Sequence, residues 1–472
     1  MQSRKCLPNS GKKQWKNNCH KITERNKKKM RLKFSIFLVM FGIANIYCQK
    51  NNMNENILKT VNEIISYYRD VYVNLHQHPE LSLMEFKTAG IMADNLQKLG
   101  FETTTGIGGN GVVGIFRNGQ GKTVMLRTDM DALPVKENTG LPFSSNVIMK
   151  DANGNENPVM HACGHDIHMS TWLGTLSTLV RLKDKWQGTL VAVAQPAEEG
   201  MRGAASMLDA GLYKKFPVPD FALCYHVSAE LPSGTVGFYP GPIFAGVKSA
   251  EITVYGIGGH GAMPHKAIDP VVIAARIIMD IQTIVSREIN PVKPAVITVG
   301  SIHGGARANV IPDEVKMLLT IRFFEEKVFT TIKESLINIA RGAAIAAGVP
   351  EDKMPLVSFD NDNDQPVAND PELVMASVRS MKGIIGETNV IQVDPATVAE
   401  DFGKYGRTEE KVPLALFWLG GVNPEKYNDY LIKGTLLPSL HNSSFAPDFE
   451  PTFSTGVSAM SKTIIDIMSR KY

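Results

Sequence analysis

Three short apolar runs, each closing on polar residues, constrain this chain more than any other feature. Residues 122–127 (KTVMLR) run into Thr128 and Asp129, 188–194 (GTLVAVA) into Gln195 through Glu198 and Glu199, and 221–225 (FALCY) into His226. Runs this short and this apolar read as strands covered on both faces. The helical patterns between them (167–181 and 203–210) supply the crossovers of a largely parallel sheet. In open α/β sheets a site lies beyond the carboxyl ends of the strands. Asp129, Glu198, Glu199 and His226 all take that place in their segments.

From about Ala250 the order of elements changes. The pattern reads strand 250–256, helix 269–287, strand 295–301, strand 314–323, helix 327–347 and strand 354–359. This βαββαβ order predicts a ferredoxin-like satellite domain inserted into the larger one. The expected division is 50–248 for the first part of the catalytic domain, 249–360 for the insertion and 361–472 for the second part. Before the first run, 55–100 is helical with a break at His78-Pro79, and the glycine-rich stretch 106–121 reads as a hairpin. Its glycines lack the spacing of a phosphate loop. The last part supplies a helix near 371–383, a strand at 414–419, a loop around His441 and a closing helix 454–469.

The first 49 residues stand apart. Of 50 Lys+Arg and 47 Asp+Glu they hold 12 and one, so from Lys50 onward 38 basic residues face 46 acidic ones, a net of −8. The basic balance belongs to the leader, and the body has no nucleic-acid footprint. Residues 27–33 are basic and 34–46 almost wholly apolar, the order of a secretory signal whose core is too short for a transmembrane helix. A compact signal peptide opens at Met30 and runs to about 49, which makes 1–29 an over-long start. An exported protein, periplasmic or secreted, is expected. Lipid anchoring at Cys48 is the lesser alternative, because Tyr47 is bulky where such signals want a small residue. Only Cys163 and Cys224 remain in the body, too few for a disulfide framework. A single bridge between them would remove the thiolate from any metal site.

The chemistry gathers at 160–168 (MHACGHDIH), where three histidines, a cysteine and an aspartate precede a helix. Cys163 and His165 are two apart, a spacing that puts both side chains on one side of an extended backbone. Thiolate and imidazole suit a borderline-soft divalent metal. Packing at a strand-to-helix turn is the bland alternative, and it weakens once Glu198-Glu199, His226 and His441 are added. Cys163, His165, one glutamate, His226 and His441 are too many ligands for one catalytic zinc with an open position. They suit two ions about 3.5–4 Å apart that activate a water and polarise a carbonyl. The other glutamate would be the general base. Zinc or manganese is expected, with cobalt or nickel as alternatives.

The motifs LHQHPELS (75–82), LRTDMDALPV (126–135), MHACGHDIH (160–168), QPAEEG (195–200), GGHGAMPH (258–265), ANVIPD (308–313), AEDF (399–402) and LHNSSFAPD (440–448) carry a resemblance. Over roughly 57–470 the chain resembles the metal-dependent amidohydrolases that include hippurate hydrolases, N-acyl-amino-acid amidohydrolases and plant auxin-conjugate hydrolases. The resemblance implies a dinuclear centre of Cys163 (bridging), His165, Glu199, His226 and His441, with Glu198 as general base. Asp129 supports the metal site, and Arg127 stands where the wider superfamily has a histidine ligand. His260 in the insertion would help bind substrate or stabilise the oxyanion, reached by domain closure or from a dimer partner, and Asn309 faces the same cleft. Arg307 offers a planar donor fork for a substrate carboxylate; an ordinary surface arginine is the competing reading. His161, His168, His265 and His303 are expected to be structural, as are His76 and His78. The implied substrate is a small N-acyl amino acid, and the implied assembly a homodimer or higher homo-oligomer. A dipeptidase or aminopeptidase on the same scaffold, or a non-catalytic periplasmic binding protein, are the rival readings.

Overall fold

The computed structural model describes residues 52–360 and 364–469. The leader read as over-long start and signal peptide, with Cys48, lies outside the described residues. Among the described residues no helix is long and apolar enough to cross a membrane.

The larger domain is built on a sheet of eight strands. In spatial order they are Glu102–Ile107, Gly111–Asn118, Gly188–Gln195, Thr123–Asp129, Phe221–Pro232, Leu414–Val422, Val236–Phe238 and Val390–Gln392. The four central strands run parallel; Gly111–Asn118 joins one side antiparallel and is itself antiparallel to Glu102–Ile107, and Val236–Phe238 joins the other side antiparallel with Val390–Gln392 parallel to it. Leu414–Val422 is buried at every position, which explains why it reads in sequence as an unbroken apolar run rather than an alternation. Helices His165–Arg181 and Phe449–Ser469 pack together on one face, and Pro371–Ile385 packs on Phe449–Ser469. On the other face Met125, Val191, Ala222 and Leu416 share a core with Ala204 and Met207 of the helix Gly203–Asp209. Covered on both faces, the sheet is the α/β architecture the sequence predicts.

The second sheet is antiparallel and separate, with order Ala295–His303, Glu314–Phe323, Gly246–Tyr255, Leu356–Phe359. Numbered along the chain this is 2-3-1-4, the ferredoxin-like arrangement. One face stays open, and Glu314–Phe323 accordingly alternates between exposed and buried positions. Helices Pro270–Thr283 and Glu326–Ala346 cover the other face. The first is started by Asp269, whose side chain accepts from the Val271 N–H at 2.9 Å, with Pro270 at the first helical position. The two chain crossings between the domains lie side by side, Val367 opposite Phe244 and Ala368 opposite Pro242. Lys404 forms an ion pair with Asp364 there at 2.7 Å.

Three local readings change. The helix expected from Ile167 begins at His165, so that residue is held by its first turn. The strand expected to stop before His226 continues to Pro232. The strands Val236–Phe238 and Val390–Gln392 and the helix Pro424–Lys433 are additional. The two strands have three residues each, too few to show a period.

Candidate metal centre

Gly164 sets the local geometry. It sits at φ 75°, and a Cβ built on it would lie 2.6 Å from Val227 Cγ1. The chain can therefore turn tightly against the neighbouring strand, with Cys163 on one side of the turn and His165 opening the helix on the other. His441 also has a left-handed backbone, φ 65°, and its N–H bonds the Ala162 carbonyl at 2.8 Å. Ala197 (φ 50°) and Met201 (φ 55°) bracket Glu198 and Glu199. These uncommon conformations for residues with a side chain collect where the functional groups lie. The 197–199 segment is fixed by carboxylates: Glu85 accepts from Ala197 N at 2.8 Å, and Asp131 from Glu198 N at 3.1 Å and Glu199 N at 3.0 Å.

Ligand atoms of Cys163, His165 and His226 lie within 4.8 Å of one another, and so do those of Cys163, Glu199 and His441, and of His165, Glu198 and Glu199. Cys163 is common to the first two groups, the position a bridging ligand would need. Its Sγ is 3.2 Å from His441 Nε2 and 3.5 Å from His226 Nε2. Cys163 and Cys224 are both free, so the thiol is available. His165 donates from Nδ1 to the Asp131 carbonyl at 2.7 Å, and His226 from Nδ1 to the Val227 carbonyl at 2.9 Å. Both rings thus keep Nε2 for another partner, the orientation imposed on metal-binding imidazoles. His165 Nε2 and Glu199 Oε1 are buried and without a hydrogen bond. Orphaned polar atoms are costly, and divalent cations among these donors would satisfy them. The residues fit such ions.

The charge balance agrees. Asp129, Asp131, Glu198, Glu400 and Asp401 are buried, Glu199 nearly so, with Arg127 as the permanent cation among them. Burial, then Glu400, Glu199 and other carboxylates, push Glu198 well above the usual carboxylate range. Burial likewise raises Glu199 to about 7 and, with the glutamates, lifts the Cys163 thiol well above its ordinary value. Burial disfavours charge on His165, but Asp129, Asp131 and Glu199 outweigh it and raise its pKa to about 10. Bound cations would relieve the same crowding of carboxylates.

Asp129 bonds Arg127 at 2.7 Å and His168 Nδ1 at 2.7 Å, and its Oδ2 is 3.9 Å from His165 Nε2. His168 has both nitrogens engaged, since Nε2 accepts from Val227 N at 2.7 Å. Arg127 also bonds Glu400 (2.8 Å), Asp401 (3.1 Å) and Gln195 (3.0 Å), and so forms the floor beneath the ligands. The His161 ring is buried with neither nitrogen hydrogen-bonded, and burial lowers its pKa to about 4. His76 is clamped by Asp166 at 2.6 Å and Glu137 at 3.0 Å.

Cys163, Glu198, Glu199, His226 and His441 line a cleft of about 360 Å³ with Arg322 of the satellite domain. His260, Arg307 and Asn309 are exposed together on that domain: Gly261 N bonds the Asn309 carbonyl at 2.9 Å, and His260 pairs with Val310. The structure brings these three to one another and does not bring them to the cleft lining. Sequence reasoning missed Arg322, which sits in an alternating strand with no motif around it. Asp131, Glu400 and Asp401 lie inside quoted motifs but received no role there.

A model of peptidase family M20/M25/M40 matches residues 125–457. The thermostable carboxypeptidase 1 of Saccharolobus solfataricus is 36% identical over 398 residues, 84% of this chain and 94% of that protein. The N-acetyldiaminopimelate deacetylase of Lactobacillus acidophilus is 34% identical over 400 residues, 84% of this chain and 96% of that protein. Among solved structures, a putative aminohydrolase of methicillin-resistant Staphylococcus aureus superposes with TM-score 0.77 at 29% identity, over 88% of this chain and all of that one. A dinuclear metal-binding M20 peptidase of Bacillus subtilis superposes with TM-score 0.70 at 25% identity, over 86% of this chain and 99% of that one. The chain belongs to peptidase family M20/M25/M40 and is a metal-dependent hydrolase of amide or peptide bonds.

Proposed function

We propose that the chain hydrolyses the amide bond of N-acyl amino acids whose carboxylate is free, using two divalent ions held by Cys163, His165, Glu199, His226 and His441. Arg322 carries the substrate half of this reading. It is half-buried in the cleft, burial lowers its pKa, and it has no anionic partner among the described residues. A desolvated guanidinium without a carboxylate is a ready-made reader for one. The relatives' names, carboxypeptidase and N-acetyldiaminopimelate deacetylase, favour the same substrate class.

When bound, the ions lower the pKa of water and polarise the amide carbonyl. Glu198 accepts the proton of the attacking water as its oxygen bonds the carbonyl carbon. It then delivers that proton to the amide nitrogen, the C–N bond breaks, and a carboxylic acid and an amine leave. Burial, and after it the crowding by Glu400 and Glu199, raises Glu198 and makes it a better proton carrier than an ordinary carboxylate. His260 and Asn309 would join the cleft through domain closure or from a second copy in a dimer. Export to the periplasm or medium rests on the leader.

The test is a hydrolysis screen of the chain from Lys50, with N-acetyl, N-benzoyl and indole-acyl amino acids, their carboxamides, and dipeptides, with Mn²⁺ or Zn²⁺ and with a chelator. Chelator-sensitive release from acyl amino acids, with the carboxamides at least roughly tenfold slower, is expected. Activity on dipeptides alone would replace this reading with the peptidase one. Inactivity with every metal despite bound ions would favour the binding protein.

A further inference from the structure

Beside the metal cleft lies a second cavity of about 930 Å³, bounded by the strand end 228–231, the segment 392–398 and residues 439–440. Val398 and Leu440 line both spaces, so the two adjoin at these side chains. Leu231, Val393, Ala396 and Trp418 give it an apolar wall, while Ser228, Gln392, Thr397 and Ser439 add polar surface. The Trp418 indole stands edge-on to the His226 ring at 5.3 Å and packs on Phe244 at 4.7 Å, so this wall abuts a proposed metal ligand. Both volumes fall in the roughly 300–1,000 Å³ range of small-molecule pockets. The metal cleft, at about 360 Å³, is near the lower end, and the annex is large enough for a bulky group.

The annex contains neither Arg322 nor the glutamate pair. With the substrate carboxylate at Arg322, the amino-acid half occupies the metal cleft. The acyl substituent, one bond from the scissile carbonyl, must leave through adjoining space. The exposed Glu230 and Asp394 stand at the annex and have no ion pair among the described residues. They disfavour an acyl chain ending in a carboxylate.

We propose that this annex is the acyl subsite, that it takes an uncharged aromatic or large apolar acyl group, and that Trp418 and Val393 set the preference. The proposal rests on the amidohydrolase reading above. Its test compares kcat/KM for the N-benzoyl, N-acetyl and N-succinyl derivatives of one amino acid, using the metal-loaded chain and the space-filling variants Val393→Trp and Ala396→Phe. Each variant's folding is checked by its circular dichroism melt. The unaltered chain should prefer benzoyl over acetyl and acetyl over succinyl. Either folded variant should lower the benzoyl-to-acetyl ratio by roughly tenfold or more, the usual scale of pocket discrimination. If the unaltered chain cleaves all three but neither variant moves the ratio, the annex assignment fails and the amidohydrolase reading stands. If it prefers succinyl, the charge argument fails. If it cleaves none, both readings fall together.

Discussion

Glu198 and Glu199 share a strand end, and the fold separates what they can do. Glu199 lies 3.5 Å from His441 Nε2 in a group with Cys163, whereas Glu198 groups with Glu400 and Asp401 as well as with His165. Glu198→Gln should therefore keep bound metal, measured by elemental analysis, and lose 10²–10⁴-fold in kcat, the usual contribution of a positioned general base. Metal loss along with turnover would make Glu198 a ligand instead. A second prediction concerns His76, held by Asp166 and Glu137. Burial opposes its charge, but the two carboxylates prevail and raise its pKa from 6.5 to about 10. Its stabilisation is complete below about pH 6.5 and is lost as pH rises toward 10. Burial opposes the charge of Asp166 and Glu137 too, but His76 lowers both, so their share is lost instead as the solution becomes acid. His76→Gln leaves two carboxylates without their cation, a loss of about 3–5 kcal/mol. In urea unfolding of the metal-free chain, the loss should be larger at pH 6 than at pH 9. Equal losses would exclude the charged clamp.

The turn before the helix His165–Arg181 is where element and site meet. Gly164→Ala would hold an alanine at φ 75° with its Cβ 2.6 Å from Val227 Cγ1. The expected cost is about 2–4 kcal/mol, with weaker metal binding because Cys163 and His165 flank the turn. Gly342→Ala is the matched comparison, since Gly342 lies within Glu326–Ala346 with nothing within 4 Å of an added Cβ. It should stabilise by about 0.5–1 kcal/mol. Similar urea midpoints for the two variants would remove the steric argument. At this scale the sequence was legible wherever a period or a breaker marks an element. The ferredoxin-like order followed from alternation in 314–323 and helical spacing in 327–347, and the parallel strands from their apolar runs. The run-on of Phe221–Pro232 past His226 was not legible, because it depends on pairing with Leu414–Val422, almost two hundred residues away.

At the scale of the whole molecule, the crowd of carboxylates predicts that metal removal costs stability. A chelator should lower the melting temperature, and added Mn²⁺ or Zn²⁺ should raise it with concentration, each site adding about 4 kcal/mol of stability at a thousandfold excess over Kd. A melt indifferent to both would count against ions among these donors. The sequence by itself determined the two kinds of sheet and marked MHACGHDIH, the Glu198-Glu199 pair, His226 and His441 as chemistry, because periodicity and ligand type are local properties. Tertiary structure alone decided that His165 and His226 keep Nε2 free, since the Asp131 and Val227 carbonyls take Nδ1. It also decided that Arg127 is a floor of ion pairs, that Arg322 enters the cleft while His260, Asn309 and Arg307 remain outside its lining, and that a second cavity adjoins it. Those facts depend on which distant segments share a wall. Packing sets that, and no local pattern encodes it.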